Sequence, residues 1–317
     1  MSLAADAPLI EPDLNAALER IAGAQKLLPP VDPGDVKQTR VWFEEWATLA
    51  SQLAPRYELT TLDHMISDAP VSVASRIYRP PAPRSRMLFI HGGGWAIGSL
   101  NTHDSVARWL ASQSRSEIIA LNYDLAPEQP FPRAVDQTLS ALRAAIALSV
   151  EDALPLLVMG DSAGADIASL ALLRTEKEEL ESIKAFVSLY GAFEPDLDLP
   201  SHLRFADGPF LRRSDMDAYW GFFAGELRGP ERRRLTPLDA NLNLFPTTFC
   251  VAAECDLLRD DSVALHNKIL GDGGLSTLEC WRGMPHGCMH FVGIVPSVTR
   301  AADSILKFIA TATTSGA

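Results

Sequence analysis

Along the chain, apolar positions recur first at helical spacing and then in short runs. From Asp13 to Ala24, and again from about Val36 to Leu53, the pattern is helical, with the breakers Pro29-Pro30 and Pro33-Gly34 between the two. In the second segment Trp42, Phe43, Trp46 and Leu49 share one face, so the expected helix is strongly amphipathic. Such a stripe serves either as buried core or as pocket wall, and both uses set it against the body of the fold.

Beyond residue 55 the rhythm changes to strands alternating with helices. Tyr57 to Asp63 and Val71 to Tyr78 read as paired strands. Arg86 to Ile90, Ile118 to Tyr123, Pro155 to Gly160, Lys184 to Tyr190, Thr247 to Ala253 and Ser276 to Trp281 read as further strands, mostly separated by helical stretches. Strands joined through helices need crossover connections, which predicts an α/β fold: a mostly parallel eight-stranded sheet flanked by helices, its ligand site beyond the carboxyl ends of the strands. One segment breaks the alternation. Phe193 to about Thr236 is rich in Pro, Arg, Asp and aromatics, including Phe210, Tyr219, Trp220, Phe222 and Phe223, and its length predicts a small helical excursion or lid.

Composition narrows the functional classes. A chain of 317 residues, 47% hydrophobic and 21% charged, buries a large core in one big α/β domain or two smaller ones. A formal net charge of −12 and a pI near 5.0 argue against a nucleic-acid partner, and Arg232-Arg233-Arg234 reads as solvated surface. Met1 to Glu19 lacks a basic start followed by an apolar region, and no stretch approaches the roughly 18 apolar residues of a membrane span. Cys250, Cys255, Cys280 and Cys288 have no CxxC spacing, which argues against zinc or dithiol redox chemistry. The expectation is a reduced cytoplasmic protein without integral membrane association.

The chemistry starts at Gly160-Asp161-Ser162-Ala163-Gly164, which follows the apolar run Leu154 to Met159 and precedes a helical stretch. A strand, a sharp turn and a helix hold such a serine hydroxyl exposed as a nucleophile. A serine needs a base, usually a histidine oriented by a carboxylate, and in doubly wound hydrolases the chain order is Ser, then Asp or Glu, then His. His266, His286 and His290 satisfy the order. His266 lies in an expected helix, whereas His286 sits in the loop Arg282-Gly283-Met284-Pro285-His286-Gly287 at a strand end; His290 is the fallback. Asp256, just past the strand Phe249 to Ala253, is the expected acid, with Glu254 and Asp260 next; Asp260 and Asp261 suit the first turn of the following helix. His91-Gly92-Gly93-Gly94-Trp95 directly follows the strand ending at Ile90, and Gly93, Gly94 and Ala163 are the expected N–H donors to an oxyanion. The glycine run has neither a GxGxxG nor a GxxxxGK[ST] register, so it is a weak phosphate loop. His91 is read as ordering this loop.

Four blocks together resemble the bacterial hormone-sensitive-lipase-like esterases of the α/β-hydrolase fold. They are His91 to Trp95, continuing to Asp104; Tyr123 to Glu128; Gly160 to Gly164; and Asp256 to Asp260 followed by His286-Gly287. The resemblance covers the body from about Arg86 onward. It implies a helical cap from about 1–54 and about 193–236 over a catalytic body of about 55–192 and 237–317, and no cofactor or metal. It implies a serine carboxylester hydrolase for small or short-chain acyl esters, with Ser162, His286 and Asp256 as nucleophile, base and acid. Trp95, Asp161, Trp42, Trp46, Phe210 and Tyr219 are the substrate-binding candidates. The chain departs from the family's usual residues at Asp124, Ala165, Asp166, Leu257 and Cys288; Asp124 and Asp166 are expected to add negative charge, and Cys288 to fill space. An amidase-like or deacylase use of the same machinery, such as arylformamide deformylation, fits these residues equally. A non-catalytic ligand receptor on the hydrolase scaffold, as in the plant gibberellin receptors, is the rival from another class. Ser276 to Trp281, the expected last strand, offers an edge for a homodimer.

Overall fold

The computed structural model describes residues 10–25 and 34–314. Met1 and the breakers Pro29-Pro30 and Pro33 lie outside these residues. In chain order the elements are α1 (Pro12–Gln25), α2 (Val36–Ser51), β1 (Thr60–Asp68), β2 (Val71–Arg79), β3 (Ser85–Ile90), α3 (Asp104–Ser114), β4 (Ser116–Asn122), α4 (Arg133–Glu151), β5 (Leu156–Asp161) and α5 (Ala163–Leu172). They continue as α6 (Lys177–Leu180), β6 (Ile183–Leu189), α7 (Pro200–Arg204), α8 (Arg213–Ala224), β7 (Thr248–Cys255), α9 (Arg259–Gly271), β8 (Ser276–Pro285) and α10 (Pro296–Thr314).

The eight strands form one sheet in the order β1-β2-β4-β3-β5-β6-β7-β8. The β1/β2 and β2/β4 pairs are antiparallel, and every pair from β4/β3 to β7/β8 is parallel. Helices cover both faces, so every residue of β3 and β5 is buried. Strands buried on both sides are apolar throughout rather than alternating, which is why these two stand out as short hydrophobic runs. Leu88, Ile90 and Val158 join α4 and α5 in one core; Met87, Phe89 and Met159 join α3 and α10 in the other. Arg86 enters β3 fully buried, its Nε donating to Glu117 Oε1 at 2.7 Å on the neighbouring strand.

Two strands differ from their expected extents by more than two residues at an end. β1 lies at the sheet edge with Ile66 its only buried residue, so hydrophobicity does not mark its ends; it starts at Thr60 and runs on to Asp68 opposite Val71. β8 continues through Arg282 and Gly283 to Pro285, across a register shift between Ala253 and Cys255. That extension delivers His286 directly from a strand end. The stretch from Phe193 to Thr236 contains α7, α8 and a 3-10 segment, Gly229–Leu235. No helix among the described residues is long and apolar enough to cross a membrane.

The turn between β5 and α5 is a tight junction. Ser162 takes φ 53° and ψ −125°, and its N–H donates to Leu189 O at 2.9 Å. A Cβ on Gly164 would lie 2.1 Å from Ile90 O, and one on Gly160 would lie 2.4 Å from Gly164 O. Only hydrogen fits at either position. We expect Gly164→Ala to destabilise the protein by about 2–3 kcal/mol or to prevent folding, because backbone atoms on both sides must move. Gly221, exposed on α8 with open space for 4 Å around the position a Cβ would take, is the control: Gly221→Ala should stabilise by about 0.5–1 kcal/mol. Urea unfolding midpoints measure both, and a Gly164→Ala protein as stable as wild type contradicts this packing.

Candidate active site

Four strand ends converge on one point. β3 leads into the glycine loop, β5 into Ser162, β7 into Asp256 and β8 into His286. The Ser162 hydroxyl donates to His286 Nε2 at 2.9 Å, and His286 Nδ1–H donates to Asp256 Oδ2 at 2.8 Å. Asp256 is buried and its other oxygen accepts the Leu258 N–H at 2.9 Å, which holds the carboxylate plane. The two ring nitrogens of His286 are therefore distinguished: one carries the proton toward the acid, and the other is free to accept from the serine.

The alternative residues are engaged elsewhere. Glu254 Oε2 accepts the Gly283 N–H at 2.8 Å and ties β7 to β8. Asp260 Oδ2 accepts the Ser201 N–H at 2.9 Å, fastening α9 to α7. His266 bonds Ser276 Oγ at 2.9 Å within the outer layer. His290 is buried among Phe43, Trp46 and His103, and burial lowers its pKa to about 3, so it stays neutral.

The glycine loop is built around Asp161. Asp161 Oδ1 accepts the Gly92 N–H at 2.9 Å, and Oδ2 lies 3.5 Å from His103 Nε2. Burial pushes the Asp161 pKa up, but the contact with His103 outweighs burial and holds it below the usual range. His91 is fully buried; its Nδ1–H donates to Gly92 O at 2.7 Å while Tyr123 stacks on its ring at 4.4 Å and donates its hydroxyl to His91 O. Burial lowers the His91 pKa to about 3, so this ring is a neutral brace. Gly93 and Gly94 follow with φ 117° and 54°. Among the described residues, the N–H groups of Gly93, Gly94 and Ala163 have no hydrogen-bond acceptor.

A cavity of about 450 Å³ opens onto Ser162. Trp42, Trp46, Phe210 and Tyr219 line it, as do Asp161, Gly93, Gly94 and His286. Trp95 does not. Its side chain turns away from the cavity, stacking on Phe223 at 4.8 Å and meeting Trp220 at a tilt at 4.1 Å, with Nε1 donating to Asp166 Oδ2 at 3.2 Å. The pocket assignment of Trp95 is thus corrected: an indole flanked by aromatic rings is buried more completely there than at a cavity mouth. Thr39 and Phe43 complete the α2 wall with Trp42 and Trp46, and Arg212, Asp215 and Met216 join Tyr219 on the other side. The sets 39, 42, 43, 46 and 212, 215, 216, 219 both repeat at i, i+3, i+4, i+7, so helical periodicity carried through the polar positions would have found them.

These features match known proteins. A family profile described as alpha/beta hydrolase fold covers residues 87–290. Carboxylesterase NlhH of Mycobacterium tuberculosis is 33% identical over 247 residues, covering 74% of this chain and 76% of the relative. The chain belongs to the hormone-sensitive-lipase-like family of α/β-hydrolase-fold carboxylesterases. Ethyl acetate hydrolase of Pseudomonas putida is 30% identical over 301 residues, covering 90% of this chain and 94% of the relative. Among solved structures, the carboxylesterase EstE1, cloned from a metagenomic library, superimposes with a TM-score of 0.80 at 27% identity, covering 89% of this chain and 98% of that one.

Within this family frame, the extra negative charge expected from Asp124 and Asp166 does not reach the pocket. Asp124 is paired with Arg133 at 2.7 Å, and neither carboxylate lines the cavity. Cys288 is completely buried, and burial pushes its thiol pKa up, so it packs as a small apolar group. Asp166 has no solvent exposure; burial, reinforced by the charge of Asp261 and only partly offset by the Trp95 bond, pushes its pKa well above the carboxylate range. The folded protein then holds a proton that the unfolded chain has lost above its ordinary carboxyl pKa. Stability must fall as pH rises through that window, by about 1.4 kcal/mol per pH unit for one proton. Asp166→Asn keeps the shape and removes the ionisation, so its stability relative to wild type should rise as pH is raised above the ordinary carboxyl range. Thermal or urea unfolding across that range reads the gap, and a gap independent of pH contradicts the account.

Proposed function

We propose that the protein is a serine carboxylester hydrolase acting on small or short-chain acyl esters through a covalent acyl-enzyme. The hydrogen-bond chain from Ser162 through His286 to Asp256 carries the reading. Ser162 Oγ attacks the ester carbonyl carbon while His286 Nε2 takes its proton. Asp256 keeps His286 in the accepting tautomer and stabilises the imidazolium. The N–H groups of Gly93, Gly94 and Ala163 receive the carbonyl oxygen as it becomes an oxyanion, where fixed donors act without reorganising. The tetrahedral intermediate collapses, the C–O bond to the alcohol breaks, and His286 returns the proton to the leaving oxygen. Water, deprotonated by His286, then releases the acid and restores Ser162.

The position of Ser162 at the first turn of α5 supports this role, since the helix N-terminus favours the developing negative charge. The cavity of about 450 Å³, walled by Trp42, Trp46, Phe210 and Tyr219, supports a compact, apolar acyl group. The name of the Pseudomonas relative, an ethyl acetate hydrolase, points the same way. In this reading α2 and the 193–236 stretch, with α7 and α8, are the two pieces of a cap over the body. Four cysteines, three of them buried and none in a disulfide, support a reducing cytoplasmic setting, and the position of β8 at the sheet edge supports pairing in a homodimer.

A series of p-nitrophenyl esters from acetate to dodecanoate should show kcat/KM highest at the short end; an optimum at long chains rejects the substrate class, and faster turnover of arylformamides favours the amidase-like use. Ser162→Ala should lower kcat by about 10⁴-fold or more, and Asp256→Asn by about 10³–10⁴-fold, with unchanged circular dichroism. Undiminished turnover by Ser162→Ala rejects the mechanism.

A further inference from the structure

The glycine loop that faces Ser162 adopts a conformation that its own residues do not favour. Gly93, Gly94 and Trp95 all have positive φ, at 117°, 54° and 59°, and a tryptophan in the left-handed region is held there by its surroundings. Within the loop, Ala96 N–H and Ile97 N–H both donate to Gly93 O, at 3.0 and 2.8 Å, which closes the turn without bonding the Gly93 or Gly94 N–H groups. The rest of the hold comes from outside the loop.

Much of that hold comes from α8. Tyr219 lies with its ring against Gly94: a Cβ there would sit 2.4 Å from two of the ring carbons. The next residue, Trp220, and Phe223 one turn along flank the Trp95 indole, with Phe223 inclined only 8° to it. α8 is itself fixed to the body, because the Phe131 N–H donates to Phe223 O at 2.9 Å. From the opposite side α2 adds Arg40, whose Nε donates to Ala96 O at 2.7 Å and whose Nη2 donates to Ala126 O at 2.8 Å. α8 lines the pocket through Asp215, Met216 and Tyr219, and it also packs on the backbone that presents the Gly93 and Gly94 N–H groups.

We infer that α8 is the brace of the oxyanion loop, and that Tyr219 is a positioning residue for catalysis whose flat ring sets the Gly94 peptide. This rests on the reading of Gly93 and Gly94 as oxyanion donors. Tyr219 also lines the cavity, so a contact with substrate has to be separated from an effect on the loop. The hydroxyl is not required by this role; the ring face is.

Three variants decide it: Tyr219→Ala, Tyr219→Leu and Tyr219→Phe, assayed for kcat and KM on p-nitrophenyl acetate and butyrate. For Ala and Leu we expect kcat to fall about 10–100-fold, equally for the two esters, with KM within about threefold of wild type. Tyr219→Phe should rescue most of that loss. Binding of an aryl trifluoromethyl ketone, whose carbonyl carbon takes Ser162 Oγ as the hydroxyl proton passes to His286 Nε2 and whose oxygen becomes the oxyanion in the loop, should weaken in step with kcat/KM. Should truncation to Ala unfold the protein, the Leu variant decides by the same criteria. A rise in KM at unchanged kcat, a Phe variant as impaired as Ala, or unaltered ketone affinity would overturn the inference. Failure of the oxyanion reading itself shows separately: in crystals of the wild-type protein with the ketone, the hemiketal oxygen would then lie away from the Gly93 and Gly94 N–H groups.

Discussion

The active centre depends on one close approach, that of Gly164 at the start of α5 to the carbonyls of Ile90 and His91 at the end of β3. A side chain at Gly164 would lie 2.1 Å from one carbonyl oxygen and 2.5 Å from the other. Bringing these backbones together places the nucleophile turn beside the glycine loop, and it does so on buried strands rather than on a mobile surface. Ser162 bears the cost as a positive φ, of the order of 1–3 kcal/mol for a residue other than glycine. Bonds from Ser162 N–H to Leu189 O and from Ala165 N–H to Ser162 O offset it.

Around that contact the chain uses buried carboxylates as fasteners. Asp161 receives the Gly92 N–H beneath the loop, and Asp256 receives Leu258 N–H as well as His286. Asp261, fully buried at the start of α9, accepts the N–H groups of Phe193 and Glu194 and the Nε2–H of His202 at 2.6 Å. His202 Nδ1 accepts the Leu199 N–H, which leaves its proton on Nε2 for Asp261. The start of α9, just after Asp256, and the stretch that carries α7 are thus joined by satisfied hydrogen bonds.

The sheet is legible in the sequence because β3, β5, β6 and β7 are buried on both faces and appear as apolar runs. The edges are not: β1 has alternation too weak to mark its ends, and β8 passes through an Arg-Gly pair that reads as a turn. The Ser162, Asp256 and His286 positions follow from chain order and strand ends, which are local properties of sequence. Trp95 misleads because position in a motif does not reveal side-chain direction; its positive φ turns the indole toward α8. Asp166 misleads because formal charge does not report burial: with no solvent exposure and one side-chain donor, Trp95 Nε1, its carboxyl is pushed toward the protonated form, unlike the better-bonded Asp161. The brace formed by Tyr219, Trp220 and Phe223 depends on contacts more than a hundred residues apart, beyond any local pattern.

The central claim is that Ser162, activated through His286, forms a covalent intermediate. Incubation with a fluorophosphonate followed by intact-mass and peptide mass spectrometry tests it directly. The account predicts one phosphonyl group per chain, located on the peptide containing Ser162, with ester turnover lost in proportion to labelling. Full labelling with turnover intact, or an adduct on any other residue, would contradict it.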